Sequence, residues 1–375
     1  MTILGTLSHQ QFLSQYWQTK PLLLRDCSYP DLSLTPDDLA GLACELEVES
    51  RLVIHDETTG QWHCEHGPFD EGRFAALPAR AWTLLVQAVD QWIPDVALLR
   101  SAFDFLPSWR LDDVMISVAA EGGGVGPHFD SYDVFLLQLS GTRHWQIGQR
   151  CDAATPLVDH PDLKVMTGFD CQHDYDLEPG DMLYLPPGLA HYGTATSDEC
   201  VTCSIGFRSP SYSEVAHHAV ALLDPALGDQ QRFRDPVTRR RDDPFLISAA
   251  VDKQLEQAWL QMSTDLVSAA LPEAFGREVT EPRYPELVQA DCVPTESELR
   301  HLWDATGVVD LAHHRASRFA YRVLTDSAQL FVDGEAYFTT TEFARGVCHG
   351  RLLPVTDAQE FEVLLRLVRD GSVSV

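Results

Sequence analysis

Between about residues 113 and 207 the chain breaks into short apolar runs separated by turn signals, and this texture restricts the fold more than any other feature. Runs at 114–119, 134–139, 143–147, 182–185 and 201–207 read as strands. Gly122-Gly123-Gly124, Gly141, Pro179-Gly180-Asp181 and Pro186-Pro187-Gly188 punctuate them as turns. Many short antiparallel strands at this spacing predict a β barrel or a double-sheet jelly roll.

The flanking segments read differently. Residues 8–20 predict an amphipathic helix with Ser8 as N-cap and Phe12, Leu13 and Tyr16 on one face, ended by Pro21. A buried strand at 22–24, a helix at 36–48, a strand or hairpin at 51–64 and a helix at 78–92 follow. After Pro210 the strand texture stops. Residues 212–223 and 246–271 are helical by periodicity, with the arginine-rich stretch 232–241 between them. That stretch is expected to be a connecting loop paired with Asp235, Asp242 and Asp243 rather than a nucleic-acid patch. The last hundred residues mix helices at 295–304 and 357–369 with strands near 318–323, 329–332 and 336–338, the last two joined by an Asp333-Gly334 hairpin turn.

Length and charge bound the function. A chain of 375 residues that is 45% hydrophobic forms two or three folded units and is not intrinsically disordered. It has no run of about 18 apolar residues, which excludes a transmembrane helix. Lysine and arginine number 27 against 56 acidic residues, for a net charge of −29. That balance disfavours nucleic acid and anionic lipid as ligands and favours a basic macromolecule or a small molecule. Residues 275–375 alone carry a net of −6, which argues against DNA binding there.

The nine cysteines are irregularly spaced, and the N-terminus lacks the pattern of a signal peptide, so free thiols and a cytoplasmic setting are expected. Cys200-Val-Thr-Cys203 has metal-like spacing, but in a strand the two side chains face opposite sides. Trp62-His63-Cys64-Glu65-His66 holds ligand-type residues, yet glycines bracket it as a surface loop or short edge strand, the loop being the preferred reading.

The stretch 122–145, GGGVGPHFDSYDVFLLQLSGTRHW, carries the chemistry. His128 and Asp130 lie two apart, so on a strand both side chains project from one face. A third ligand is expected from a distant strand, and His191, which follows the Pro186-Pro187-Gly188 turn, is the candidate. Two imidazoles and one carboxylate leave about three adjacent coordination positions open, which suits iron(II). Catalytic zinc is the chemical rival, and a metal-free jelly roll is the structural one. Arg143 falls on the next strand-like segment, where an inward guanidinium requires an anion such as the far carboxylate of a dicarboxylate, the alternative being a rim arginine paired with an acidic neighbour. Ser117, on the strand before, is placed to donate to the same carboxylate.

At these residues the sequence resembles the JmjC-type, cupin-fold 2-oxoglutarate oxygenases, in particular the bacterial ribosomal oxygenases that hydroxylate an arginine of a large-subunit ribosomal protein. GGGVGPHFDSYDVF, GTRHW, LEPGDMLYLPPGLAH and SIGFRSP carry the resemblance, and FLSQYWQTKPLLLRD at 12–26 resembles the segment that precedes the barrel. The resemblance implies a mainly β catalytic domain, a double-stranded β-helix, over 1–210 with its core at about 92–210. It further implies a helical dimerisation region at 211–274, a winged-helix-like α+β domain at 275–375, and a homodimer. It implies Fe(II) held by His128, Asp130 and His191, and 2-oxoglutarate held by Arg143 with help from Ser117. The product would be a hydroxylated arginine on a basic ribosomal protein, with succinate and CO₂ released. Histidine hydroxylation, demethylation of another basic protein, or a non-catalytic acidic docking module are the alternatives. Glu121 departs from the small or apolar residue expected before the glycines; a solvent-facing turn residue is the preferred reading, and in the cleft it would bind a cationic substrate.

Overall fold

The structure is a computed structural model, and it describes residues 2–227, 249–290, 294–306, 309–352 and 357–375. The chain divides into two compact units, Met1–Ser209 and Pro210–Val375.

The first unit is built on eleven strands: β1 (Leu22–Leu24), β2 (Ser50–Asp56), β3 (Gln61–His66), β4 (Trp82–Val86), β5 (Leu111–Ala119), β6 (Asp133–Ser140), β7 (Arg143–Arg150), β8 (His173–Leu177), β9 (Met182–Leu185), β10 (Leu189–Ala195) and β11 (Cys200–Phe207). Eight pair in the order β1-β9-β6-β11-β5-β4-β2-β3, and the other three in the order β10-β7-β8. Side-chain alternation explains the layering. On β6, Phe135 and Leu137 enter one core while Val134 and Leu136 enter another, and β9 divides Met182 and Tyr184 from Leu183 and Leu185 in the same way. Trp145 and Ile147 of β7, Leu177 of β8 and Leu189 of β10 join Val134 and Leu136 in the core that the two sheets share. Strands buried on both faces read as continuous apolar runs, which is the texture the sequence shows.

The opposite face of the large sheet packs against the N-terminal helices through Phe12, Leu39, Val89, Val96 and Leu99. The helix His9–Gln15 starts at a capping box in which Ser8 and Gln11 satisfy each other's backbone N–H groups, and Phe12 is fully buried. It ends before the expected residue 20. The helix expected at 36–48 likewise covers only Pro36–Leu42.

Two expectations fail here for one reason. Residues 82–86, expected within a helix, form β4 between β2 and β5, and residues 62–66, for which a loop is preferred over a short edge strand, form most of the edge strand β3, which completes the hairpin expected at 51–64. A short apolar run such as Trp-Thr-Leu-Leu-Val fits a helix or a buried strand equally well, and only pairing with distant strands decides. The consequence is that residues before 92 supply four of the eight strands in the large sheet. Cys200 and Cys203 do face opposite sides of β11, and the cysteines among the described residues are free thiols.

In the second unit the helix Ala249–Thr280 runs across the boundary expected at 274/275 and packs its end on a three-stranded antiparallel sheet of Phe319–Val323, Ala328–Val332 and Glu335–Thr339. At that contact Thr280 Oγ1 accepts the Gly334 N–H at 3.2 Å, and Arg277 donates to the Gly334 carbonyl. The helices Glu296–Thr306, Thr341–Cys348 and Ala358–Arg369 close an apolar core around Leu330, Phe343 and Leu364. The Asp333-Gly334 hairpin is formed as expected, whereas the helix Thr341–Cys348 was not anticipated. The stretch 232–241 lies outside the described residues. No helix among the described residues is long and apolar enough to cross a membrane.

A buried charge pair fastens the N-terminal segment to the barrel. Arg110 donates to Asp133 at 2.7 Å, Tyr184 donates to the other oxygen of Asp133 at 2.6 Å, and the Gln18 backbone N–H donates to the Tyr184 hydroxyl at 2.6 Å. Asp133 is fully buried, and removing Arg110 would leave its charge uncompensated. Arg110→Ala is therefore expected to lower unfolding stability by about 3–5 kcal/mol, measured by urea denaturation, with part of the loss recovered when Asp133→Asn is added.

Candidate metal and cosubstrate site

The segment from Gly122 to Asp130 is not a regular strand, yet it runs antiparallel along β10. Gly122 N–H donates to the Ala195 carbonyl and Ala195 N–H to the Gly123 carbonyl. His128 and His191 exchange both backbone hydrogen bonds, at 3.0 and 2.8 Å, and Gly188 N–H donates to the Asp130 carbonyl at 2.7 Å. Glycine is required along this path. A Cβ on Gly123 would lie 2.1 Å from the Trp82 carbonyl oxygen, and Gly126 adopts φ +79 with Trp62 and Val165 at close range.

That pairing brings His128, Asp130 and His191 together, with one ligand atom from each lying within 4.8 Å of the others. A register shift in β10 between Leu189 and His191 re-aims the strand just before the histidine, as bulges beside active sites commonly do. Both imidazoles are oriented through the backbone. Nδ1 of His128 lies 2.9 Å from the Gly126 carbonyl, and Nδ1 of His191 lies 2.9 Å from the Leu189 carbonyl. A carbonyl can only accept, so each Nδ1 carries the proton and each Nε2 keeps its lone pair free. Burial, reinforced by His128, pushes the His191 pKa down to about 4, so this imidazole is neutral near pH 7 and ready to coordinate. The Asp130 carboxylate stands 3.6 Å from His191 Nε2. Neutral nitrogens and one carboxylate on one side suit a divalent first-row metal with open positions.

Arg143 opens β7 and is 5% exposed, yet its Nε and Nη2 have no hydrogen-bond partner. A buried guanidinium left this way is expensive, so the site is built for an anion. The observation fits a dicarboxylate whose other end reaches a metal. Ser117 is buried on β5 and its hydroxyl approaches the Thr202 carbonyl at 3.5 Å; no hydrogen bond joins it to Arg143. Glu121 sits in an exposed turn, 3.6 Å from Arg80, and is not one of the three clustered ligands.

Sequence reasoning missed two neighbours of the site. Tyr132 is packed beside Asp130, and burial, then the Asp130 charge, push its hydroxyl pKa up, so it remains a neutral donor next to that carboxylate. Trp145 sets its ring 5.8 Å from the His191 ring. Both lie inside the 122–145 stretch, but aromatic residues in strands are ordinarily core, and no spacing rule sets them apart.

Comparison with known proteins places the chain among relatives of one kind. A JmjC-domain family model matches residues 98–215. The chain is 38% identical over 296 residues to the ribosomal protein uL16 3-hydroxylase of Escherichia coli strain K12, across 78% of this chain and 75% of that one. It is 40% identical over 207 residues to a probable ribosomal oxygenase of Haemophilus influenzae, across 54% of this chain and 50% of that protein. The X-ray structure of E. coli YcfD superposes with a TM-score of 0.84 at 30% identity, covering 100% of both chains. A YcfD structure described as a ribosomal oxygenase in complex with cobalt and 2-oxoglutarate superposes at 0.80 and 30% identity, covering 99% of this chain and 98% of that one. Fold and site together define a JmjC-domain oxygenase. Within that class the chain belongs to the ribosomal oxygenase family.

The arrangement makes a direct demand on metal binding. His191→Ala is expected to lower Mn(II) affinity at least tenfold, in line with the loss of one of three protein ligands, measured by equilibrium dialysis, while the circular dichroism spectrum is unchanged.

Proposed function

We propose that this protein is an Fe(II)- and 2-oxoglutarate-dependent hydroxylase that acts on an arginine side chain of a large-subunit ribosomal protein. The observation that carries the reading is the convergence of a His128–Asp130–His191 ligand set with the unpaired buried guanidinium of Arg143. The similarity to the uL16 3-hydroxylase of E. coli supports the substrate class.

In this reading His128, Asp130 and His191 hold the iron, and Arg143 holds the C5 carboxylate of 2-oxoglutarate, assisted by Ser117. Bound together, Fe(II) and 2-oxoglutarate supply the oxidative decarboxylation of the ketoacid by dioxygen to succinate and CO₂, with the second oxygen atom inserted into a substrate C–H bond. The protein's own work is positional. The carbonyls of Gly126 and Leu189 fix the imidazole tautomers, Arg143 sets the reach of the cosubstrate, and the apolar residues between the sheets keep the pocket dry. Glu121, in its exposed turn, is proposed to meet the incoming cationic side chain. Its exposed pairing with Arg80 is weak enough to be exchanged.

The helices Tyr212–Leu227 and Ala249–Thr280 are proposed as a dimerisation region, and the following helices and sheet as a winged-helix-like domain that contacts protein rather than nucleic acid. A cytoplasmic location follows from a ribosomal substrate.

The test is incubation with Fe(II), 2-oxoglutarate and isolated large-subunit ribosomal proteins, read by tandem mass spectrometry. The expected result is the mass of one oxygen atom on a single arginine, absent with His128→Ala. Oxygen on histidine, or loss of a methyl group, would select the other JmjC chemistries instead. The net charge of −29 adds a kinetic expectation. Acidic surface attracts an arginine- and lysine-rich substrate over about a Debye length, roughly 8 Å at physiological salt. KM for the protein substrate should therefore rise with added NaCl while kcat stays nearly constant.

A further inference from the structure

Arg143 is not the only buried donor left without an acceptor. Trp145 is 5% exposed, and its indole Nε1 also has no hydrogen-bond partner. The two residues are two apart on β7, so both project from the same face. They stay close there, with the Arg143 Cζ 5.7 Å from the Trp145 ring.

Strand register places the indole between the guanidinium and the metal ligands. Along the β7–β10 pairing, Arg143 stands opposite Ala195, Trp145 opposite Gly193, and Ile147 opposite His191. Moving along that face from the anion clamp to the histidine, one side chain intervenes, and it is Trp145. The opposing position is shaped to admit it. A Cβ on Gly193 would lie 2.7 Å from the Trp145 ring, so any larger residue there would displace the indole. Buried indole N–H groups usually find a partner, and one held without one beside an unpaired guanidinium marks a shared acceptor.

We infer that Trp145 is a cosubstrate-binding residue, donating its indole N–H to the same carboxylate that Arg143 grips. A carboxylate has two oxygens and about four lone-pair sites, enough for two guanidinium donors and one indole donor. Trp145 then does more than fill space between the sheets. It completes the anion site and sets the distance between the distal carboxylate and the metal, and so helps select a dicarboxylate of one length. This inference rests on the 2-oxoglutarate reading above.

Calorimetry on the full-length Zn(II)-loaded protein, a redox-inert stand-in, tests it with 2-oxoglutarate and with 2-oxovalerate, which lacks the distal carboxylate. Trp145→Phe keeps an aromatic ring and removes the donor. It is expected to weaken 2-oxoglutarate binding by roughly tenfold or more, as for a lost hydrogen bond to a charged group, and to leave 2-oxovalerate binding unchanged. In nitrogen-15 spectra of the wild type, the indole N–H signal that disappears in Trp145→Phe should move downfield with 2-oxoglutarate and stay in place with 2-oxovalerate. Equal weakening for both ligands would reduce Trp145 to packing, and no weakening would overturn its role. If the variant does not fold, the wild-type spectra still decide, because the inference fails when none of the eight indole signals moves. A wild type that binds no 2-oxoglutarate at all would sink the oxygenase reading itself, a different result from a normal wild type with an indifferent variant.

Discussion

Two backbone hydrogen bonds between His128 and His191 hold the site together. They join an irregular segment to a barrel strand far along the chain, and through that bridge both histidines reach the candidate metal site. Its formation depends on the glycines that let residues 122–126 pass close to Trp82, Gly193 and Trp62. It depends equally on the register shift that turns β10 just before His191. The ligand set is thus a product of sheet pairing, and the side chains inherit their geometry from it.

The second constraint is the placement of positive charge where water is scarce. Most of the chain's charge is negative and spread over its surface. Arg143 runs against that trend, buried between apolar sheets with two nitrogens unpaired. A low-dielectric pocket makes such a charge costly alone and strongly attractive to a carboxylate. In the proposed reading the acidic exterior and the buried guanidinium serve different ligands, a basic protein outside and a small dianion within.

Much of this was legible in the sequence. The strand texture, the His-x-Asp pair, the Pro-Pro-Gly approach to His191 and the arginine after Gly141 all follow local rules of spacing and turn chemistry. What was not legible depends on partners far away in the chain. The run 82–86 reads as helical because a short apolar segment does not announce its neighbours, and at 62–66 the loop is preferred over the edge strand although the hairpin at 51–64 is legible. Trp145 carried no signal, since a tryptophan in a strand is ordinarily core. Only its unpaired N–H, seen once the sheets are assembled, separates it from a packing residue. Helix ends were also overextended, as at residues 16–20 and 43–48, where amphipathic character persists beyond the last hydrogen-bonded turn.

The central claim is that one metal, held by His128, Asp130 and His191, is chelated by a ketoacid whose far end lies on Arg143. Anaerobic absorption spectroscopy of the Fe(II)-loaded protein addresses that claim most directly. Addition of 2-oxoglutarate should produce a weak visible metal-to-ligand charge-transfer band that saturates at one equivalent, and the band should be lost in Asp130→Ala and require far more ligand in Arg143→Ala. A protein that binds Fe(II) but develops no such band, or one whose Asp130→Ala variant develops it unchanged, would contradict the account.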